Sequence, residues 1–499
     1  MTASGQLLIR GADVVNIRSF ALERLDILVR DGKIERMSPN LVPLADMEVI
    51  EANGKIAIPG LINAHTHAHN NLTKGRADNW TLEDLRSHGL GLFLNRTPED
   101  QYLSAAIGAI EMLKTGCTAA YDQFVAVPSH TEEGIAAVVQ AYQDVGLRAV
   151  LAPAVSDIVF YQAVPGLMDA LPDEIRRHVD RLRANSTDGL VRITHDAVKR
   201  WHGTANGRIS FATAPVIPGE CTEELMRGCH DIVREFGVGL HTHLAETKIQ
   251  AVAGERRWGG SIVRHLAKAG VLGPHFVGGH GVWIDDADVS LLADHGAMVA
   301  HNPASNMKLG SGIAPVREML DTRLTVGIGT DGSMASDNQN MFEAMRIGAI
   351  VSKLRFPHRP DRWVGARDML IMATLNGAKL LGLDSEIGAL EPGRRADLVL
   401  LDVNSPFLQP LNDLANALVY AETGADVDCV IVDGRIIVRD GKVISVDEMA
   451  IRRRAAEAAR RLWSETAAHR ELPQRVEPFL RSVCAACAAA QFPINRYAN

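Results

Sequence analysis

The chain has 499 residues, 46% of them hydrophobic and 22% charged, with a formal net charge of −8. That is ample material for a large core and more than one domain, and the acidic balance, without any Lys/Arg-dense run, argues against a nucleic-acid partner. No apolar stretch reaches bilayer-spanning length, and the opening MTASGQLLIRGADVV lacks the basic-then-apolar pattern of a secretory signal, so a cytoplasmic protein is expected.

Residues 5–57 alternate apolar and polar, with a hairpin signal at Asp31-Gly32. The same texture returns near the C-terminus, where Val29-Arg30-Asp31-Gly32-Lys33 recurs as Val438-Arg439-Asp440-Gly441-Lys442. This predicts a small β-sandwich domain assembled from 1–57 and 386–448. Between the two lie eight apolar runs: 61–67, 117–124, 149–155, 209–215, 238–246, 275–282, 297–305 and 324–332. They are continuous rather than alternating, as strands buried on both faces are, and segments such as 132–145 and 221–236 between them have helical period. The expected fold is α/β, a (β/α)₈ TIM-like barrel over 58–385. The stretch from 155 to 207 is too long for a plain crossover and predicts an inserted helix or substrate loop. A charged helical extension, 449–499, follows outside the barrel. The six scattered cysteines suit a reducing compartment, and the C-x-x-C at Cys484 and Cys487 has no second Cys/His pair beside it.

Five side chains suited to metal chemistry fall at the ends of these runs: His65, His67, His243, His280 and Asp331. Residues i and i+2 of a strand share a face, so both imidazoles of His65-Thr-His67 can reach one ion. His241-Thr-His243 repeats the pattern with His241 one layer deeper, and Glu246 three residues on is placed to shuttle a proton. Chemistry at the ends of successive buried strands is the pattern of a barrel enzyme, and a divalent metal that activates water is the leading reading.

PGLINAHTH, HTHLAET, GGHGV, HNPASNMKLGSGIAPV and GTDGSMASDN, in this order, together with ALEPGRRADLVLLD, resemble the amidohydrolase superfamily. The likeness, over about residues 5–445, is greatest to its aminohydrolases: cytosine and guanine deaminases, methylthioadenosine/adenosylhomocysteine deaminases and the triazine hydrolases. The resemblance implies one Zn²⁺ or Fe²⁺ per chain, with His65, His67, His243 and Asp331 at the ligand positions. It places Glu246 as proton shuttle and His280 as the histidine that orients hydroxide. The fourth strand, ISFATAP, lacks the lysine of dinuclear members, which favours one metal. Thr213 stands where nucleoside-type deaminases carry histidine, which points away from adenosine-like substrates, and RWHGTANGRIS resembles the triazine hydrolases.

The expected reaction is hydrolytic deamination of a small pterin, purine, pyrimidine or triazine. The alternative is hydrolysis of a carbamate, urea, alkylamine or chloro group at the same site. Trp80, Gln123, His202, Trp283, Asn302 and Asn306 are candidate substrate contacts, since rings stack on flat heterocycles and amides meet their polar edges. HNPASN is expected to form a tight loop. A homo-oligomer, dimer or higher, is expected.

Overall fold

The computed structural model describes residues 6–182 and 185–497. The apolar runs form eight parallel strands: β1 (Leu61–His67), β2 (Cys117–Phe124), β3 (Arg148–Val155), β4 (Ile209–Pro215), β5 (Gly239–Leu244), β6 (Phe276–His280), β7 (Met298–His301) and β8 (Thr325–Ile328). Each pairs with the next. Gly329 and Thr330 interrupt the last run, which resumes as Asp331–Gly332 and pairs in parallel with β1 at Thr66 and His67, closing the sheet.

Alternate residues explain the unbroken apolar pattern. On β3, Ala149, Leu151 and Val155 join the layer against the surrounding helices, while Val150, Ala152 and Ala154 fill the interior. Helices Glu132–Val145 and Glu223–Phe236 start at Thr131 and Thr222, whose side chains accept from the third backbone N–H beyond, and stop at left-handed Gly146 and Gly237.

Both chain ends build a second nine-stranded sheet, in which Leu398–Asp402 from the C-terminal part pairs antiparallel with Lys55–Pro59 from the N-terminal part. The two recurring peptides are both two-residue hairpins, with Asp31-Gly32 and Asp440-Gly441 at positive φ. Leu398 and Leu400 pack inside this sheet, whereas Val399 and Leu401 join the main core. Buried Arg148 of β3 donates to both carboxylate oxygens of Asp397, at 2.8 and 3.0 Å, and so bonds the two sheets.

Between β3 and β4 lie the short helices Phe160–Ala163, Leu167–Ala170 and Asp173–Val179 and the longer Thr187–Trp201. After the second sheet come helices Glu448–Glu465 and Glu471–Ala489. Cys484 and Cys487, one turn apart on the last helix, are buried in an apolar cluster with Phe160 and Tyr161. No helix among the described residues is long and apolar enough to cross a membrane.

Candidate active site

The strands deliver their polar ends to one point. Atoms of His65, His67 and His243 that could bind a metal lie within 4.8 Å of one another, as do those of His65, His280 and Asp331. His67 Nε2 is 3.2 Å from His243 Nε2 and 2.9 Å from Asp331 Oδ1, while His65 Nε2 is 3.6 Å from that oxygen. The opposite ring nitrogens are occupied. His67 Nδ1 donates to the Gln123 carbonyl at 2.6 Å and His243 Nδ1 to that of Val216 at 2.7 Å. His65 Nδ1 is hydrogen-bonded to His241 Nε2 at 3.1 Å. Such outer bonds fix the rings and leave each Nε2 facing its neighbours. His65 Nε2 has no hydrogen-bond partner, a buried lone pair that a cation would satisfy. Three imidazole nitrogens and one carboxylate form a donor set suited to zinc or ferrous iron.

The charge environment agrees for three of the four histidines; burial lowers His67 as well, but its hydrogen bond to Asp331 and that carboxylate's charge raise it on balance. Burial pushes His65, His243 and His280 below the ordinary histidine range, so their neutral, ligating forms prevail. Burial opposes ionisation of Asp331, but the His67 imidazole beside it holds its carboxyl far below the usual range. The Ser305 hydroxyl donates to Asp331 Oδ2. Glu246 behaves oppositely: burial, then the charges of Asp331 and Glu83, raise its carboxyl well above the usual range. Neither of its oxygens has a hydrogen-bond partner, and Oε1 lies 3.6 Å from His280 Nδ1. That nitrogen donates to Asn306 Oδ1 at 2.8 Å, so His280 Nε2, 4.0 Å from Asp331 Oδ2, faces the cluster. His280 and Asp331 both sit at positive φ, the backbone bend by which β6 and β8 present them. Gly329 is required here: a Cβ would come within 2.8 Å of His65 backbone atoms.

A cavity of about 480 Å³ opens above, with His67, His243, Glu246 and Asp331 in its floor and Leu85, Phe160 and Ile217 among its apolar walls. Of the six expected substrate contacts, none lines it. Trp80 stacks on His88, with centroids 4.5 Å apart. Gln123 and Asn306 instead serve the histidines, through a carbonyl and a side-chain oxygen respectively. Asn302 is buried with its amide unpartnered. Trp283 Nε1 donates to the Ser311 carbonyl at 2.7 Å. His202 precedes β4 and accepts from Phe211 N, which puts it at the end of the barrel away from the cluster. HNPASN forms a short helix, Pro303–Lys308, rather than only a loop, with proline at its first position. The Val216 carbonyl escapes sequence reasoning because a main-chain acceptor carries no residue signal, and Ser305 because nothing in HNPASN marks the carboxylate its hydroxyl meets.

The amidohydrolase family profile matches residues 56–437, and the chain belongs to that family. It is therefore a hydrolase acting on C–N bonds. It is 35% identical over 467 residues to the 5-methylthioadenosine/S-adenosylhomocysteine deaminase of Symbiobacterium thermophilum, covering 92% of this chain and 100% of the relative. It is 34% identical over 437 residues to the 5'-deoxyadenosine deaminase of Methanosarcina mazei, covering 87% and 93%. The zinc-complexed atrazine chlorohydrolase of Arthrobacter aurescens TC1 superposes with a TM-score of 0.82 at 27% identity, over 91% of this chain and 100% of that one. Thr213, the residue that pointed away from adenosine-like substrates, is fully buried and does not line the cavity. Its Oγ1 donates to the Gly239 carbonyl at 3.4 Å.

Proposed function

We propose that this protein hydrolytically deaminates an amino-substituted N-heterocycle, foremost an adenosine-type nucleoside, and that His65, His67, His243 and Asp331 hold one Zn²⁺ or Fe²⁺. The observation that carries the reading is Glu246: a buried, unpartnered carboxyl in the cavity floor, beside His280 and Asp331, where burial favours its protonated form. An amine leaves only when protonated, and such a carboxyl is the group to supply the proton. When bound, the ion supplies the Lewis acidity that makes water nucleophilic near neutral pH. Asp331, held ionised and fixed by Ser305, takes a proton from the attacking water. Glu246 gives its proton to a ring nitrogen, takes the proton of the added hydroxyl as C=O forms, and passes it to the amine as the C–N bond breaks. The proton held by Asp331 then restores Glu246. His280, locked through Nδ1 by Asn306, presents the Nε2 lone pair to accept from the O–H added to the ring carbon and so orients it.

A single ion is favoured because β4 carries no lysine. Metal analysis giving two equivalents per chain would overturn that count. The six buried free cysteines support a reducing, cytoplasmic location. A second reading keeps the site but displaces another group, as the likeness to the atrazine chlorohydrolase favours. The deciding experiment is an ammonia-release screen of metal-loaded protein against adenine nucleosides, guanine, cytosine, pterins and aminotriazines. Ammonia from the adenine nucleosides, at the highest kcat/KM, is expected. Release of chloride or alkylamine from triazines, with no ammonia from any substrate, would replace this reading with the second.

A further inference from the structure

The last residues of the chain run across the face where the cavity opens. Helix Glu471–Ala489 packs against helices Leu82–Leu92 and Lys248–Trp258, and its first turn walls the cavity through Leu472, Pro473 and Arg475. Lys248, two residues past Glu246 and only 9% exposed, donates through Nζ to the Ala488 and Ala490 carbonyls at 2.6 and 2.7 Å. A cation there also meets the negative end of the helix dipole. Beyond it, Phe492 and Tyr497 pack on the Trp283 ring, with centroids 6.0 and 4.9 Å away. Arg496, 6% exposed, donates to the Val282 carbonyl at 3.1 Å and to that of Ile284, and its own carbonyl accepts from Ile313 N at 2.7 Å.

Residues 488–497 thus bond in turn to Lys248, which opens the helix directly after the Glu246 loop, to the loop after β6 that follows His280, and to the segment after β7 that follows Asn306. Strained backbone opens two of these segments: Ala245 and His280, neither of them glycine, are at φ +43° and +70°. Such conformations persist only when surrounding bonds hold them. Buried loop carbonyls likewise need donors, and a lysine and an arginine supply several at once.

We propose that residues 488–497 are a strap that sets the three loops over the metal cluster, with Lys248 and Arg496 as positioning residues for Glu246 and His280. The inference rests on the roles assigned to those two groups above. The test uses full-length, metal-loaded Lys248→Met and Arg496→Met, assayed by ammonia release and by backbone hydrogen exchange. In each, kcat falls about 10- to 100-fold with KM little changed, since small misplacement of catalytic groups has costs of this order. Metal content stays at the wild-type value, and Lys248→Arg recovers most of the rate. Exchange rises at 245–250, 281–285 and 309–313 in both variants. Arg454→Ala, which removes an exposed ion pair with Glu99 elsewhere in the extension, changes neither readout. An unchanged kcat, a rise in exchange confined to 488–497, or failure of Lys248→Arg to rescue overturns the strap. If the wild-type protein releases ammonia from no heterocycle, the deaminase reading fails alone, and the exchange measurement still decides the strap.

Discussion

Glu246 and Asp331 are both buried carboxyls in one cavity floor, yet their neighbours drive them in opposite directions. A pair so divided can supply an acid and a base at one pH. Glu246→Gln should therefore keep metal and fold while kcat drops by about 10²–10⁴-fold, the usual worth of a proton-transfer group. A change confined to KM would show instead that Glu246 only positions substrate. Far from the site, burial and then neighbouring Asp426 raise Glu422 from 4.5 to about 7. The folded state binds this proton more tightly than the unfolded chain, so its contribution is complete below about pH 4.5 and is lost as pH rises through about 7. Gln at 422 keeps an oxygen for the backbone N–H groups of Thr423 and Gly424. The melting temperature of Glu422→Gln relative to wild type should thus be higher at pH 8 than at pH 5, and equal differences at both pH values would contradict the shift.

At the level of elements, the eight strands were legible because burial on both faces leaves continuous apolar runs, and five polar side chains from four of their ends do converge. Periodicity reports which way a side chain faces but not which end of the barrel a loop lies on. His202 therefore looked like a substrate contact, although its place before β4 puts it at the other end. Nor does pattern reveal long-range polar pairs. Nothing local marks Arg148 and Asp397 as partners, yet their two-bond pairing joins β3 to the second sheet inside the core. Arg148→Met should cost about 3–5 kcal/mol in urea unfolding, because it strands a buried carboxylate. The double change Arg148→Met with Asp397→Leu should cost less, and equal losses would mean that the pair acts only through its volume.

For the whole molecule, both chain ends contribute strands to one sheet, with the two recurrent hairpins at its opposite edges, whereas the place of the charged tail depended on tertiary packing that no local period encodes. Because Val399 and Leu401 of the second sheet belong to the main core, a fragment spanning 58–385 should be insoluble or melt well below the full chain. A fragment as stable as the whole, by calorimetry, would make the barrel an independent unit. The seam of that barrel has a consequence for how the protein comes into being. Its first strand and its last run pair in the ladder at Asp331–Gly332, and Thr66 and Asp331 lie 265 positions apart. The residues that stitch the ring shut include the carboxylate of the candidate metal cluster and flank its first histidine. A growing chain can therefore assemble no complete ligand set until the last strand has left the ribosome, which withholds the chemistry until the ring itself is whole.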